Sequence, residues 1–86
     1  MELRKSREKI NAIDKELTSL LNSRFAIMKE IGEYKKAKGL PVFDKVREDE
    51  VLDRVCKVSE PEYEAEIVRI FKEIIAYGKS IQEKVN

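Results

Sequence analysis

Residues 3–38 read LRKSREKINAIDKELTSLLNSRFAIMKEIGEYKKAK, with no proline and with Gly32 as the one glycine. Nothing in this stretch breaks a helix, and at ~1.5 Å per residue it predicts a rod of roughly 50 Å. Within it Arg7, Ile10, Asp14, Leu17, Leu21, Arg24, Met28, Ile31 and Lys35 follow one another at 3,4 spacing, which lays all nine along one stripe. Three cations therefore sit in an apolar seam. A solvated basic face would carry its Lys and Arg opposite the aliphatics, and buried charge is unfavourable unless paired, so the stripe points to a buried anion site.

The length of the rod bears on assembly. A compact chain of 86 residues has a radius of gyration of about 12 Å and a diameter near 30 Å. Such a globule cannot contain the rod, so its protruding half needs a second chain to lie against. A homodimer of intertwined helices is the economical arrangement. The expected fold class is all-α, a three-helix protomer with one very long N-terminal helix, and residues 1–86 are expected to form a single domain.

Composition agrees with packed helices carrying salt-bridged outer faces, since 42% of residues are apolar and 41% charged. Eighteen basic residues against 17 acidic ones leave a net charge of +1. No global field then steers the chain to nucleic acid or to an anionic membrane, and neither partner is expected. Cys56 is the single cysteine, so an internal disulfide is impossible and a reducing compartment is indicated. The N-terminus is charged, and no apolar run reaches membrane length. A cytoplasmic location is expected.

Beyond the rod, Gly39 and Pro41 end the first helix. Leu40 to Phe43 is then an extended link, and Asp44 stands where an N-cap belongs, ahead of a second helix from about Lys45 to Val58. Ser59-Glu60-Pro61-Glu62 reads as a capping box opening a third helix that runs to about Lys84. Tyr63, Ile67, Ile70, Phe71, Ile74, Ile75, Ile81 and Val85 mark the inward face of that helix. Gly78 and Gln82 lie on the same face.

The chemistry is narrowed by what the chain lacks. With no histidine and one cysteine, a Ser-His or Cys-His nucleophile is excluded, and no ligand spacing suits zinc or iron. Three scattered glycines make neither a P-loop nor a dinucleotide loop. No cofactor is expected, and an enzyme built from this chain would work by binding and electrostatics. The remaining polar constellation is Arg7, Arg24, Lys35, Asp44, Arg47, Glu48 and Gln82, suited to a small dianion bearing a hydroxyl group.

These residues also carry a resemblance. R-E-K-I-N-A-I-D at Arg7 to Asp14, Leu20-Leu21-x-x-Arg24, Ile31-Gly32-x-x-Lys35, Pro41-Val42-x-Asp44-x-x-Arg47-Glu48, Phe71-x-x-Ile74-Ile75 and Gln82 together resemble the all-helical class of chorismate mutase. The resemblance spans nearly the whole chain, and six fragments in the right order and spacing make it specific. It implies an intertwined homodimer with two shared active sites and the rearrangement of chorismate to prephenate on the route to phenylalanine and tyrosine. With no length left for a fused domain, the monofunctional form is expected.

The resemblance also implies roles. Arg7 would reach across the dimer to a substrate carboxylate, and Arg24 of the other chain would grip a carboxylate in the same pocket, tasks that suit the planar guanidinium fork. Lys35 would point its ammonium at the ether oxygen, where negative charge grows as the C–O bond breaks. Gln82 would donate an amide N–H to the same oxygen. Glu48 would accept a hydrogen bond from the substrate hydroxyl, with Asp44 nearby and Arg47 completing the charge lattice. For Asp44 the competing reading is a helix cap, and for Arg47 an ion pair with Glu48 or Asp44. Asp14 reads as a structural seam residue placed to pair across the dimer.

One position departs from the family pattern. Gly78 stands where many relatives carry a serine hydroxyl toward the ring carboxylate, and a backbone N–H or a water would have to substitute there. That departure leaves chorismate and isochorismate both open, because isochorismate pyruvate-lyases share this fold and kind of site. A non-catalytic helical dimerisation module is the other reading, but it calls for apolar residues at positions 24 and 35 of the seam.

Overall fold

Helix α1 spans Leu3–Lys38, and Gly39 stops it. The stop is conformational: Gly39 adopts φ 67°, a left-handed backbone that L side chains disfavour, and its N–H and that of Leu40 close onto the carbonyls of Lys36 and Lys35. The computed structural model describes residues 2–85. After the link through Pro41, helix α2 spans Lys45–Val58. Asp44 caps it as the sequence predicts, with its side chain accepting the Arg47 N–H at 3.0 Å.

The join to the third helix differs from expectation. Ser59 does not open a capping box; its hydroxyl donates to the Val55 carbonyl at 2.6 Å and so closes the end of α2. Glu60 stays extended ahead of Pro61, as a residue before proline tends to, and a single 3-10 turn, Pro61–Tyr63, leads into α3, Glu64–Glu83. These three α-helices, with no strand among the described residues, make up the fold.

Helix α3 is the element that both other helices pack against. Among the described residues, Val55 and Ile74 are the buried apolar side chains, each 8% exposed, and no side chain is fully buried. Ile67, Phe71, Ile75 and Ile81 are half-buried on the face of α3 that the sequence predicts, and Val85, just past the helix end, is half-buried too. Tyr63 and Ile70 are exposed instead, because they precede or turn away from the span that the other helices cover. Much apolar surface is left over. Leu3, Ile10, Ile13, Leu17 and Leu20 of α1 are each more than half exposed.

The molecule measures 54 × 26 × 14 Å, and its radius of gyration of 15.9 Å exceeds the compact value. Its 7201 Å² of accessible surface compares with about 5,200 Å² for a compact protein of this mass. The excess comes from the N-terminal half of α1, which projects beyond the bundle.

Gly32 sets how closely α1 and α3 approach. It is buried, and a Cβ placed there would lie 2.7 Å from the Gln82 Cα and 2.9 Å from the Gln82 carbonyl oxygen. Those obstacles are backbone, so no rotamer change relieves them. Gly32→Ala should therefore destabilise the fold by roughly 1–3 kcal/mol, although helix propensity alone favours Ala by about 1 kcal/mol. Thermal denaturation reads the sign directly, and a stabilised variant would refute the close packing.

Candidate active site

A cavity of about 210 Å³ opens between the three helices. Helix α1 contributes Arg24, Met28, Ile31 and Lys35, which is the C-terminal half of the 3,4 stripe. The link and α2 bring Val42, Asp44, Arg47, Glu48 and Val51, and α3 brings Ile75, Lys79 and Gln82. Six of the residues singled out in the sequence thus meet in one place. Four cations against two carboxylates leave two unbalanced positive charges on the lining, the number that a dicarboxylate neutralises.

Among the described residues, three side-chain atoms are buried without a hydrogen bond: Arg24 Nη1, Gln82 Oε1 and Glu48 Oε2, the last facing only the Lys79 ammonium at 3.1 Å. All three residues line this cavity. A buried polar group left unpaired costs about 1–3 kcal/mol, so the orphans of Arg24 and Gln82, gathered in one cavity, suit a polar ligand better than they suit stability. Gln82 is 8% exposed, and its amide Nε2 donates to the Met28 Sδ at 3.5 Å. A thioether is a weak acceptor, so that N–H is available to a better one. Burial, then the Arg47 charge, pull the Arg24 guanidinium below its ordinary pKa range. It remains a cation at neutral pH, and the opposite charge of an incoming anion would offset both effects.

The remaining polar groups are held by local structure. Lys35 Nζ donates to the Val42 carbonyl at 2.9 Å, which draws the end of α1 onto the link. Asp44 caps α2 and also lines the cavity. Arg47 pairs with neither Glu48 nor Asp44; its Nη1 meets Glu50 Oε2 at 3.5 Å on the exposed side of α2. Gly78 is buried beside the cavity, and a Cβ there would stand 3.7 Å from Arg24 Nη1 and 3.1 Å from the flexible Met28 Sδ.

Arg7 is exposed and lies outside the cavity. Seventeen residues of helix separate it from Arg24, about 25 Å. Asp14 is exposed too, and its backbone carbonyl accepts from the Thr18 hydroxyl at 2.8 Å. Cys56 is half-buried outside the cavity, and desolvation and then the Glu64 carboxylate raise its thiol pKa. Among the described residues no cluster of ligands could hold a metal ion, and no helix is long and apolar enough to cross a membrane.

One lining residue, Lys79, was not foreseen. Its Nζ lies 3.1 Å from Glu48 Oε2. The available signal was spacing, since Ile75, Lys79 and Gln82 follow at 4 and 3 and so share the inward face of α3.

Comparison with known proteins accords with this arrangement. The chorismate mutase type II family matches residues 6–83. The chain belongs to that family. Members are isomerases, and none of the groups in the cavity is a nucleophile of the kinds excluded above. The chain is 33% identical over 98% of its length to a bifunctional chorismate mutase/prephenate dehydratase from Aquifex aeolicus, of which it spans 25%. It is 31% identical over 91% of its length to a chorismate mutase from Methanocaldococcus jannaschii, covering 81% of that protein. A solved structure of a conserved hypothetical protein from Pyrococcus furiosus superposes with a TM-score of 0.78 at 36% identity, covering 93% of each chain.

The excess of cations over carboxylates on the lining gives an expectation independent of any reaction. A small dicarboxylate at 100 times its Kd should stabilise the protein by about 2.7 kcal/mol, a rise in Tm of roughly 10–20 °C. In Arg24→Ala the same addition should shift Tm far less. An equal shift in both proteins would place anion binding elsewhere.

Proposed function

We propose that the chain is a cofactor-free chorismate mutase, converting chorismate to prephenate as one catalytic domain of residues 1–86 in the cytoplasmic synthesis of phenylalanine and tyrosine. The observation that carries this reading is the cavity lined by Arg24, Lys35, Arg47 and Lys79, in which buried polar atoms of Arg24 and Gln82 lack hydrogen-bond partners. The reaction is unimolecular and pericyclic: the ether C–O bond breaks as a C–C bond forms, with no proton transferred and no covalent intermediate. What the protein supplies is a conformer and a field.

Arginines gripping the two carboxylates select the compact pseudo-diaxial conformer. Lys35 and Gln82 meet the ether oxygen as it gains negative charge, and removal of one such donor typically lowers turnover about 10²–10³-fold. Glu48 accepts from the hydroxyl, Asp44 and Arg47 complete the charge lattice, and the backbone at Gly78 borders the carboxylate gripped by Arg24. Because α1 leaves Leu3, Ile10, Leu17 and Leu20 in solvent, the active form is a homodimer. Arg7 then serves the partner's cavity, and the open side of each site is closed by the other chain.

Loss of chorismate absorbance, with the product identified as prephenate, tests the activity. Release of pyruvate from isochorismate instead would assign the lyase reaction. The shared site has its own test: inactive Arg7→Ala and inactive Arg24→Ala, refolded together, should regain roughly one working site per heterodimer. Heterodimers that form without recovering activity would put both arginines in one chain's pocket.

Gln82 gives a pH test. In Gln82→Glu the new side chain donates to the ether oxygen only when protonated, so activity should be confined to acidic pH and fall as pH rises through that carboxyl's pKa. The parent, whose amide does not titrate, should stay flat over the same range. An unchanged profile in the variant would remove Gln82 from the ether oxygen.

A further inference from the structure

Glu48 has an unexplained geometry. Its Oε2 is shielded from solvent and receives no well-aligned hydrogen bond, yet Lys79 Nζ stands 3.1 Å away. Both side chains are half-buried, Lys79 at 30% exposure and Glu48 at 24%. Lys79 is itself held from a second side, with Nζ 5.0 Å from the centroid of the Phe43 ring. A single ammonium thus ties α3 to the link and to α2. Among the described residues no other cation lies within ion-pair distance of Glu48: Arg47 turns to Glu50, and Lys35 donates to the Val42 carbonyl.

We propose that Lys79 is a positioning residue that pins Glu48 by Oε2 so that Oε1 is presented to the substrate hydroxyl, an inference that rests on the chorismate reading above. Electrostatics calls for such a partner. Glu48 shares the cavity lining with Asp44, and a dianionic substrate adds two negative charges. Without a counter-ion the carboxylate would be repelled toward solvent and the hydroxyl would lose its acceptor. The cation–π contact with Phe43 restrains the flexible lysine stem, which makes the carboxylate's orientation a property of the fold. No hydrogen bond within the described residues engages Oε1, which leaves it free to accept.

The test is a double-mutant cycle on the parent enzyme, first shown to act on chorismate. Lys79→Met should lower kcat/KM about tenfold with the helical circular dichroism intact, and Lys79→Arg should recover to within about threefold of the parent. The loss should vanish in a Glu48→Gln background. It should also vanish on a chorismate analogue lacking the ring hydroxyl, for which parent and Lys79→Met should react alike. If Lys79→Met does not fold, Lys79→Gln takes its place in the cycle. A loss that persists in Glu48→Gln, or on the analogue, would show that Lys79 grips the substrate itself or merely holds the fold, and an unchanged kcat/KM would overturn the proposal equally. A parent without activity on chorismate is a separate result, which fails the functional reading and this inference with it.

Discussion

The close approach of α1 and α3 at Gly32 is the constraint on which the rest of the structure depends. The Gln82 backbone lies where the Cβ of any other residue at position 32 would have to go. That contact brings the end of α3 against the last turns of α1, three residues before Lys35. Gln82, Met28 and Lys35 then line one cavity, and α2 closes it because Val55 and Ile74 are buried in the same bundle. A larger residue at position 32 would part the helices and move the amide of Gln82 away from Lys35 with them. The stripe of residues on α1 would survive, but the site would not.

The bundle is poorly filled for its size, and the cavity adds to the deficit. Among the described residues, two buried apolar residues and no fully enclosed side chain make a thin core, while Arg24 and Gln82 each keep a buried atom unpaired. Local rules of satisfaction fail together at one place, as expected where binding rather than stability has shaped the residues. The surface ion pairs do not offset this. Lys45 with Asp49 and Lys57 with Asp53 are exposed i,i+4 pairs, and solvent screening leaves such pairs little net effect.

The legibility of the chain in sequence follows the range of the interactions involved. Helices α1 and α2 can be read because Gly39, Pro41 and Asp44 act on their own backbones within a few residues. The join at Ser59 could not be read the same way, since a serine beside two helix ends can satisfy either one, and the Val55 carbonyl takes its hydroxyl here. Arg24, Lys35 and Gln82 stand out because charge or amide on an apolar stripe is anomalous within a single helix. Lys79 lies on such a face too, but its meaning depends on Glu48 and Phe43, 31 and 36 positions away. A lysine near a helix end reads as solvated until those partners are in view.

The 3,4 stripe of α1 divides at about Leu21, and the two halves have opposite surroundings. From Arg24 to Lys35 its residues line a cavity within their own chain. From Leu3 to Leu20 the same helix holds its aliphatics in water. An isolated helix of mixed sequence gains most of its stability from packing its apolar face, so a half-covered rod would fray at the uncovered end. On the dimer reading, one second chain meets two needs: it covers Ile10 and Leu17, and it carries Arg7 to the open side of a cavity that already has Arg24. Assembly and catalysis would then be a single equilibrium, because the surface that holds the dimer together is the surface that aims Arg7. Dilution below the dimer constant would remove a substrate-binding cation at the same moment as it exposed the apolar stripe, so activity and helicity should fall together.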